Sequence, residues 1–394
     1  MLKLLFFFII EFLVLVVIRH HYKGVSRTKF YIAVTVNALL SIYFWILYNE
    51  LRFSVLEPDN PLKVLLKMSF AGAVAAILIP RIILIVLHFS SRLFKGPRMS
   101  PPRVFTNIGF IGWIIIFFAI VIGSTTGRYS YRVSRLELPV AGLHDDLDGL
   151  RIVQISDLHL AGFHKQPQKL SLAIRAVMNE KPDILVNSGD FVTIGQGEFG
   201  RFDTILSRAK GTIASVAVLG NHDIGTYHPS FNIAFRDSNI ARMEEHIARS
   251  GYLLLNDSSY TVKKGAARLA LAGVVTMGRH PGMIHGDVSR ALNGTDSADF
   301  TILVSHDPNH WKEKIAGKTD VGLTLSGHTH AMQMGIKTKR FRWSPSKHFY
   351  PNWGGLYTEG RQYLYVNTGL GVLGIPFRLG IRPEITVIEL KKAI

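Results

Sequence analysis

Five short apolar runs in the second half of the chain end alike. Arg151–Leu160, RIVQISDLHL, is apolar and partly β-branched through Ile152, Val153 and Ile155, then closes on a carboxylate and an imidazole two residues apart. Asp183–Asp190 (DILVNSGD), Ala214–Asp223 (ASVAVLGNHD), Phe300–Asp307 (FTILVSHD) and Val321–His330 (VGLTLSGHTH) repeat the arrangement. A short apolar run stopped by polar residues reads as a buried strand. Residues two apart on a strand face one side, so Asp157 and His159 are expected to reach one ion from the strand's carboxyl end. Ligands of open α/β sheets gather at those ends. A chain with five such ends must bring them together.

The order of these ends, D-x-H, G-D, G-N-H-[DE], H and G-H-x-H, resembles the calcineurin-like metallophosphoesterase superfamily, and the resemblance runs from Arg151 to about Leu390. It implies an α/β fold, a four-layer αββα sandwich. It also implies a two-metal centre, with Asp157, His159 and His330 on the first ion, Asn221, His306 and His328 on the second, and Asp190 bridging. His222 then faces the substrate, stabilising developing charge or protonating the leaving oxygen. Asp223 is expected to orient that imidazole and keep it protonated. The forms SHDP and GHTHxxQ are similar to the membrane-associated bacterial branch, which includes UDP-2,3-diacylglucosamine pyrophosphatases. Ala331 departs from it, standing where glycine is usual.

The chemistry fits the residue types. Without a cysteine in the chain, disulfides and thiolate sites are excluded and His, Asp and Asn remain as ligands. A sulfur-free set suits Mn²⁺, which we favour, and also Fe or Zn²⁺. Two cations about 3.5–4 Å apart clamp a phosphoryl group and hold a bridging hydroxide, so no Ser or Cys nucleophile is required. Gly189, Gly220 and Gly327 let backbone approach the ions. The other histidines read first as structural or surface residues; among them His164 and His228, which follow motifs closely, are the candidates to touch substrate. Met332–Gly360 interleaves Lys337, Lys339, Arg340, Arg342 and Lys347 with Phe341, Trp343, Phe349, Tyr350, Trp353 and Tyr357. Either these groups hold phosphate and cover a lipid or base, with Arg340 and Arg342 as substrate contacts, or the aromatics pack on a sheet edge.

The first half reads differently. Leu2–Ile18, Phe30–Tyr48, Val64–Phe89 and Val104–Ile122 are apolar runs, each near the ~20 residues that cross a bilayer. One could be a signal peptide; four in succession read as a transmembrane bundle. The expected organisation is a four-helix membrane region over 1–127, a linker over 128–150 containing an edge strand, and the phosphoesterase domain over 151–394. Helices are expected at 168–180, 202–210 and 238–250. Glu11, Asn37 and Arg81 fall at membrane depth, where they must pair between helices or snorkel. The first loop carries Arg19, Lys23, Arg27 and Lys29 without an acid, the third Arg92, Lys95, Arg98 and Arg103. Those loops read as cytoplasmic, which places the domain outside an inner, multi-pass cell membrane.

The net charge of +17 favours anionic partners. The helices bias the substrate toward a lipid-linked phosphate ester or pyrophosphate. No long basic stripe supports a nuclease beyond the loop after GHTH, so nucleic acid is not expected. A pyrophosphatase of the UDP-2,3-diacylglucosamine type is the alternative, although nucleotide-sugar lipids face the cytoplasm. A non-catalytic phosphate sensor is the other, opposed by the complete ligand set.

Overall fold

The computed structural model describes residues 2–22, 25–54, 60–91, 101–277, 285–338 and 341–393. The chain divides into two compact units, one drawn mainly from residues 1–126 and one mainly from 127–394.

The first unit is helical: α1 (Leu2–Tyr22), α2 (Arg27–Ser54), α3 (Pro61–Ser90) and α4 (Pro101–Thr125). All four are long and apolar enough to cross a membrane. Phe8, Phe12, Ile46, Ile115 and Phe118 are exposed on their outward faces, a surface suited to lipid and costly in water. Inside, the polar groups meet. The fully buried Arg81 pairs with Glu11 and donates to Asn37 O (3.1 Å) and Ser41 Oγ (3.0 Å). Asn37 Nδ2 and Ser41 Oγ donate to the Glu11 carboxylate at 2.9 and 2.7 Å. Arg81 therefore pairs between helices and does not snorkel.

The second unit is a sandwich of two six-stranded sheets. One runs β1 (Arg132–Ala141), β14 (Glu384–Ala393), β2 (Arg151–Ile155), β3 (Ile184–Asn187), β4 (Ala214–Ala217), β5 (Leu253–Leu254). The other runs β12 (Gly355–Glu359), β13 (Gln362–Val366), β9 (Leu323–Ser326), β8 (Phe300–Ser305), β7 (Ala267–Val274), β6 (Ser258–Lys264). A two-stranded hairpin, β10 (Ile336–Lys337) and β11 (Arg342–Trp343), stands apart. Ile152, Ile184 and Val216 of the first sheet pack against Leu271, Ile302 and Leu325 of the second. The opposite face of the first sheet, with Val153, Leu185 and Val387, is covered by Leu170 and Ile174 of α5 (Pro167–Asn179) and by Met243 and Ile247 of α7 (Ile233–Arg249). The outer face of the second sheet packs on Trp311, Ile315 and the short α8 (Val288–Ala291). With both faces covered, each central strand is a continuous apolar run.

Strands β2, β3, β4 and β5 are mutually parallel, as are β7, β8, β9 and β13. The edge strand expected between 128 and 150 is β1, paired in parallel with β14 along ten residues. Two details differ from the sequence reading. The helix expected at 202–210 is the single turn α6 (Asp203–Leu206). Helix α7 starts five residues early because Asn232 Oδ1 caps it, accepting from Phe235 N at 2.8 Å.

Truncating Glu11 strands a buried guanidinium. We expect Glu11→Ala to cost about 3–5 kcal/mol, and Glu11→Ala/Arg81→Leu to restore more than half of it. Unfolding by SDS in mixed micelles measures both; equal losses in the two variants would contradict the pairing.

Candidate metal centre

Strand β2 ends at Ile155, before its motif residues, and Asp157 and His159 follow at φ 51° and 43°. Their side chains thus converge through a left-handed loop, not through strand alternation as the spacing implied. Asp190, His328 and His330 are also at positive φ. The loop after β2 is stitched to the loop after β3: Asp157 N donates to Gly189 O (2.8 Å), His159 N to Asp190 O (3.2 Å) and Leu160 N to Phe191 O (2.9 Å). Asp157 in turn accepts from His328 N at 3.0 Å. A Cβ on Gly220 would collide with Asp190 Oδ1, and one on Gly327 with Asp157 Oδ2. The two carboxylates therefore require glycine on facing backbone.

Two clusters result. The ligand atoms of Asp157, His159 and His330 lie within 4.8 Å of one another, and so do those of Asp190, His306 and His328. His159 Nε2 and His330 Nε2 face each other at 3.0 Å, and His330 Nε2 is 3.2 Å from Asp157 Oδ1. Asn221 Oδ1 joins the second cluster, 2.8 Å from His328 Nδ1. Asp190 Oδ2 lies between the clusters, 3.0 Å from His306 Nε2 and 3.9 Å from His159 Nε2. His306 Nδ1 donates to Ser188 O (2.7 Å), which turns Nε2 inward toward Asp190. Inward-facing imidazole nitrogens and two buried carboxylates, without sulfur, fit two divalent cations.

Electrostatics agree. Burial drives His159 down to about 3 and His328 down to about 4, and holds His330 well below its usual range. These imidazoles keep free lone pairs at neutral pH. Burial opposes charge on His306 and Asp190, but their mutual attraction outweighs it: His306 rises to about 10 and Asp190 stays well below the carboxylate range. Burial lifts Asp157 to about 6.

His222 sits beside both clusters, its ring 5.1 Å edge-to-face from His159. Its Nδ1 donates to Thr193 O at 2.5 Å. Asp223 does not touch that ring, contrary to the sequence reading. Its carboxylate accepts from Asp190 N (2.8 Å), Gly220 N (2.9 Å) and Val192 N (3.1 Å). Three amides compete for it and draw it under the loops, so Asp223 shapes the backbone that carries Asp190 and Thr193 orients the imidazole.

The remaining expected contacts are engaged elsewhere. His164 Nε2 bonds Glu198 O (2.7 Å) and its ring meets Phe202; His228 stacks on Phe235 and accepts from Ser230 N. Arg342 lies over the rings of Trp353 and Tyr357, 5.7 Å from each centroid. Lys337 pairs with Glu384 at 3.1 Å. Arg340 lies outside the described residues. Three neighbours carried no motif. Tyr227 stacks on His222 at 4.3 Å and accepts from Asn221 Nδ2; Tyr350 Oη is 2.8 Å from His328 Nε2. Buried Arg378 donates to Thr368 O, Gly369 O and Gly371 O, and its Nη2 is 3.4 Å from His330 Nδ1. Only Tyr350 lay in a stretch that the aromatic pattern marked.

Residues 150–332 match the family model of the calcineurin-like phosphoesterases. The chain carries a calcineurin-like metallophosphoesterase domain. It is 31% identical over 283 residues to a "Transmembrane protein with metallophosphoesterase domain" of Danio rerio, covering 69% of this chain and 60% of that protein. The chain thus spans about three-fifths of that relative's length. It is 29% identical to the uncharacterized metallophosphoesterase YkuE of Bacillus subtilis, covering 62% of this chain and 80% of that one. It is 27% identical to the UDP-2,3-diacylglucosamine pyrophosphatase LpxG of Chlamydia trachomatis, covering 61% and 83%.

The His306–Asp190 pair gives the metallophosphoesterase domain a pH signature. His306 is raised, so at neutral pH it holds a proton that a cation bound there would have to displace. Apparent metal affinity therefore rises about tenfold per pH unit from neutrality up to about pH 10. Below about pH 6 Asp157 also protonates and the slope steepens. Calorimetric titration of metal-stripped protein at pH 7, in buffers of different ionisation enthalpy, should record proton release. None released would contradict the pairing.

Proposed function

We propose that this chain is a membrane-anchored, two-metal phosphoesterase that hydrolyses a phosphate ester or pyrophosphate bond, with a lipid-linked substrate. The carrying observation is the pair of carboxylate–imidazole clusters, with Asp190 of the second facing His159 of the first and His222 beside them. Residues 1–127 are the anchor and 151–394, with the strand before them, the enzyme. In this reading Asp157, His159 and His330 hold one ion, Asn221, His306 and His328 the other, and Asp190 both. Bound cations supply Lewis-acid polarisation of phosphoryl oxygens and activation of water near neutral pH; the N/O donor set favours Mn²⁺.

His222 does the protein's own proton work. With its Nδ1 proton committed to Thr193 O, Nε2 carries a proton only as the imidazolium. Burial lowers its pKa, and an anionic phosphoryl group alongside raises it again. Its acid form is thus tied to substrate binding, and it then donates from Nε2 to the leaving oxygen. Asp223 keeps the Asp190 loop in place.

The lipid-linked substrate is supported by the four apolar helices. The relative named as a UDP-2,3-diacylglucosamine pyrophosphatase supports a second reading, cleavage of a nucleotide-linked lipid. The basic first and third loops support a multi-pass inner-membrane protein with an extracytoplasmic domain, which favours the first reading. Proteinase K added outside intact spheroplasts should then digest the domain; full protection would reverse the orientation and favour the nucleotide-linked lipid.

For the chemistry, His222→Ala should keep both metals by elemental analysis and lose about 10²–10⁴-fold in turnover of an alkyl phosphate diester. It should lose far less with a p-nitrophenyl ester, whose leaving group needs no proton. Asp190→Asn serves as the blank. A fully metallated His222→Ala variant with an unchanged rate on both substrates would refute the role.

A further inference from the structure

The segment that leaves the metal site carries a surface that hydrolysis does not require. From Ala331 to Ile336 burial alternates: Ala331 and Gln333 are buried, and Met332, Met334 and Ile336 are exposed. Leu379, 40% exposed, bridges to Met334 and extends the same edge. Phe341 and Phe349 are exposed by 55% and 68%. These six are half of the large apolar residues exposed from Gly127 onward among the described residues; the rest are spread over positions 172–260. Isolated apolar side chains on a surface are ordinary, but a group of six on one small lobe is not.

The lobe is joined directly to the site. His330 begins its first turn, and Tyr350, next to the protruding Phe349, bonds His328 Nε2. Its charge is one-signed: residues 331–349 contain Lys337, Lys339, Arg340, Arg342 and Lys347 and no acid. Arg342 and Lys347 are exposed and make no ion pair among the described residues. Apolar side chains beside unpaired cations match the boundary of an anionic bilayer, where alkyl groups enter the acyl region and cations meet headgroups. The chain also keeps the domain within reach of a bilayer, since six residues (126–131) separate α4 from β1.

We propose that this lobe is an interfacial docking element. It seats Met332, Met334, Ile336, Phe341, Phe349 and Leu379 in the headgroup–acyl boundary of an anionic membrane, and so holds the mouth of the metal site against phosphate groups at the lipid surface. The lipid-presenting part of this inference rests on the phosphoesterase reading; the docking part does not.

The absence of cysteine permits a direct test. Full-length Phe341→Cys, Phe349→Cys and, as a control on β6, Tyr260→Cys are spin-labelled and reconstituted in phosphatidylglycerol–phosphatidylcholine vesicles. The proposal expects labels at 341 and 349 to be more accessible to oxygen than to a water-soluble nickel chelate, and the control the reverse. Aqueous accessibility at both lobe positions would overturn it. Dipolar broadening between lobe labels of two copies would also overturn it, by assigning the face to self-association. In the activity arm, Ile336→Asp/Phe341→Asp should keep wild-type turnover of soluble bis-p-nitrophenyl phosphate within twofold and lose at least tenfold on a phosphatidate in vesicles. Equal effects on both substrates would overturn the presenting role. Wild-type protein that turns over neither substrate would refute the phosphoesterase reading, while the label accessibilities would still decide docking.

Discussion

Two buried carboxylates within reach of four imidazoles are the constraint around which the α/β unit is arranged. Asp157 and Asp190 each cost free energy to bury, and each is held by backbone amides: Asp157 by His328 N, Asp190 Oδ1 by His222 N. Those amides belong to loops of different strands, and His328 follows a strand of the opposite sheet. The carboxylates therefore tie the sandwich together where the parallel strands end. Asp223 acts one layer further out, gathering three amides beneath Asp190. The charges on Asp190 and His306 sustain each other against burial.

The motif strands were legible because they are covered on both faces. RIVQI, ILVN, FTILVS and LTLS are apolar runs that stop where apolar side chains give way to carboxylates and imidazoles, and β2, β3, β8 and β9 occupy those runs. The convergence of Asp157, His159, Asp190, His306, His328 and His330 is what the resemblance implies; the two-residue spacing of Asp157 and His159 by itself implies a strand geometry that they do not have. Strand periodicity cannot describe residues that lie past the strand in left-handed conformation. Asp223 was misread for a related reason: adjacency to His222 in sequence does not outweigh three free amides. Thr193, Tyr227 and Arg378 were illegible because they reach the site only through tertiary folding, and β1 finds β14 across some 250 residues.

The helical unit obeys the same rule. Glu11, Asn37, Ser41 and Arg81 come from three helices and satisfy one another. In a hydrocarbon surrounding, which the length and apolarity of these helices suit, no water would be available to do this, and one cluster would fix the mutual rotation of α1, α2 and α3. Sequence showed which residues had to be satisfied; only the structure showed that they satisfy each other.

The turn after β9 explains why the metal site and the exposed lobe belong together. His328, His330, Ala331, Met332 and Gln333 all have positive φ, at roughly 1–2 kcal/mol each for residues with a Cβ. Such a run persists only where its surroundings over-determine it. Thr329 Oγ1 donates to Trp353 O (2.6 Å), Ser344 Oγ to Ala331 O (2.6 Å) and Gln333 Nε2 to Leu373 O (2.9 Å), while Ala331 packs against Trp353 and Ile381. This packing gives alanine a purpose at a left-handed position that glycine would fill with less strain: its methyl group is buried in the contact that holds the turn. The same turn sets the ligand positions of His328 and His330 and begins the alternation that exposes Met332 and Met334. The turn that positions His328 and His330 and the edge that exposes Met332 and Met334 are thus one continuous segment, and the contacts that hold its strained backbone serve both.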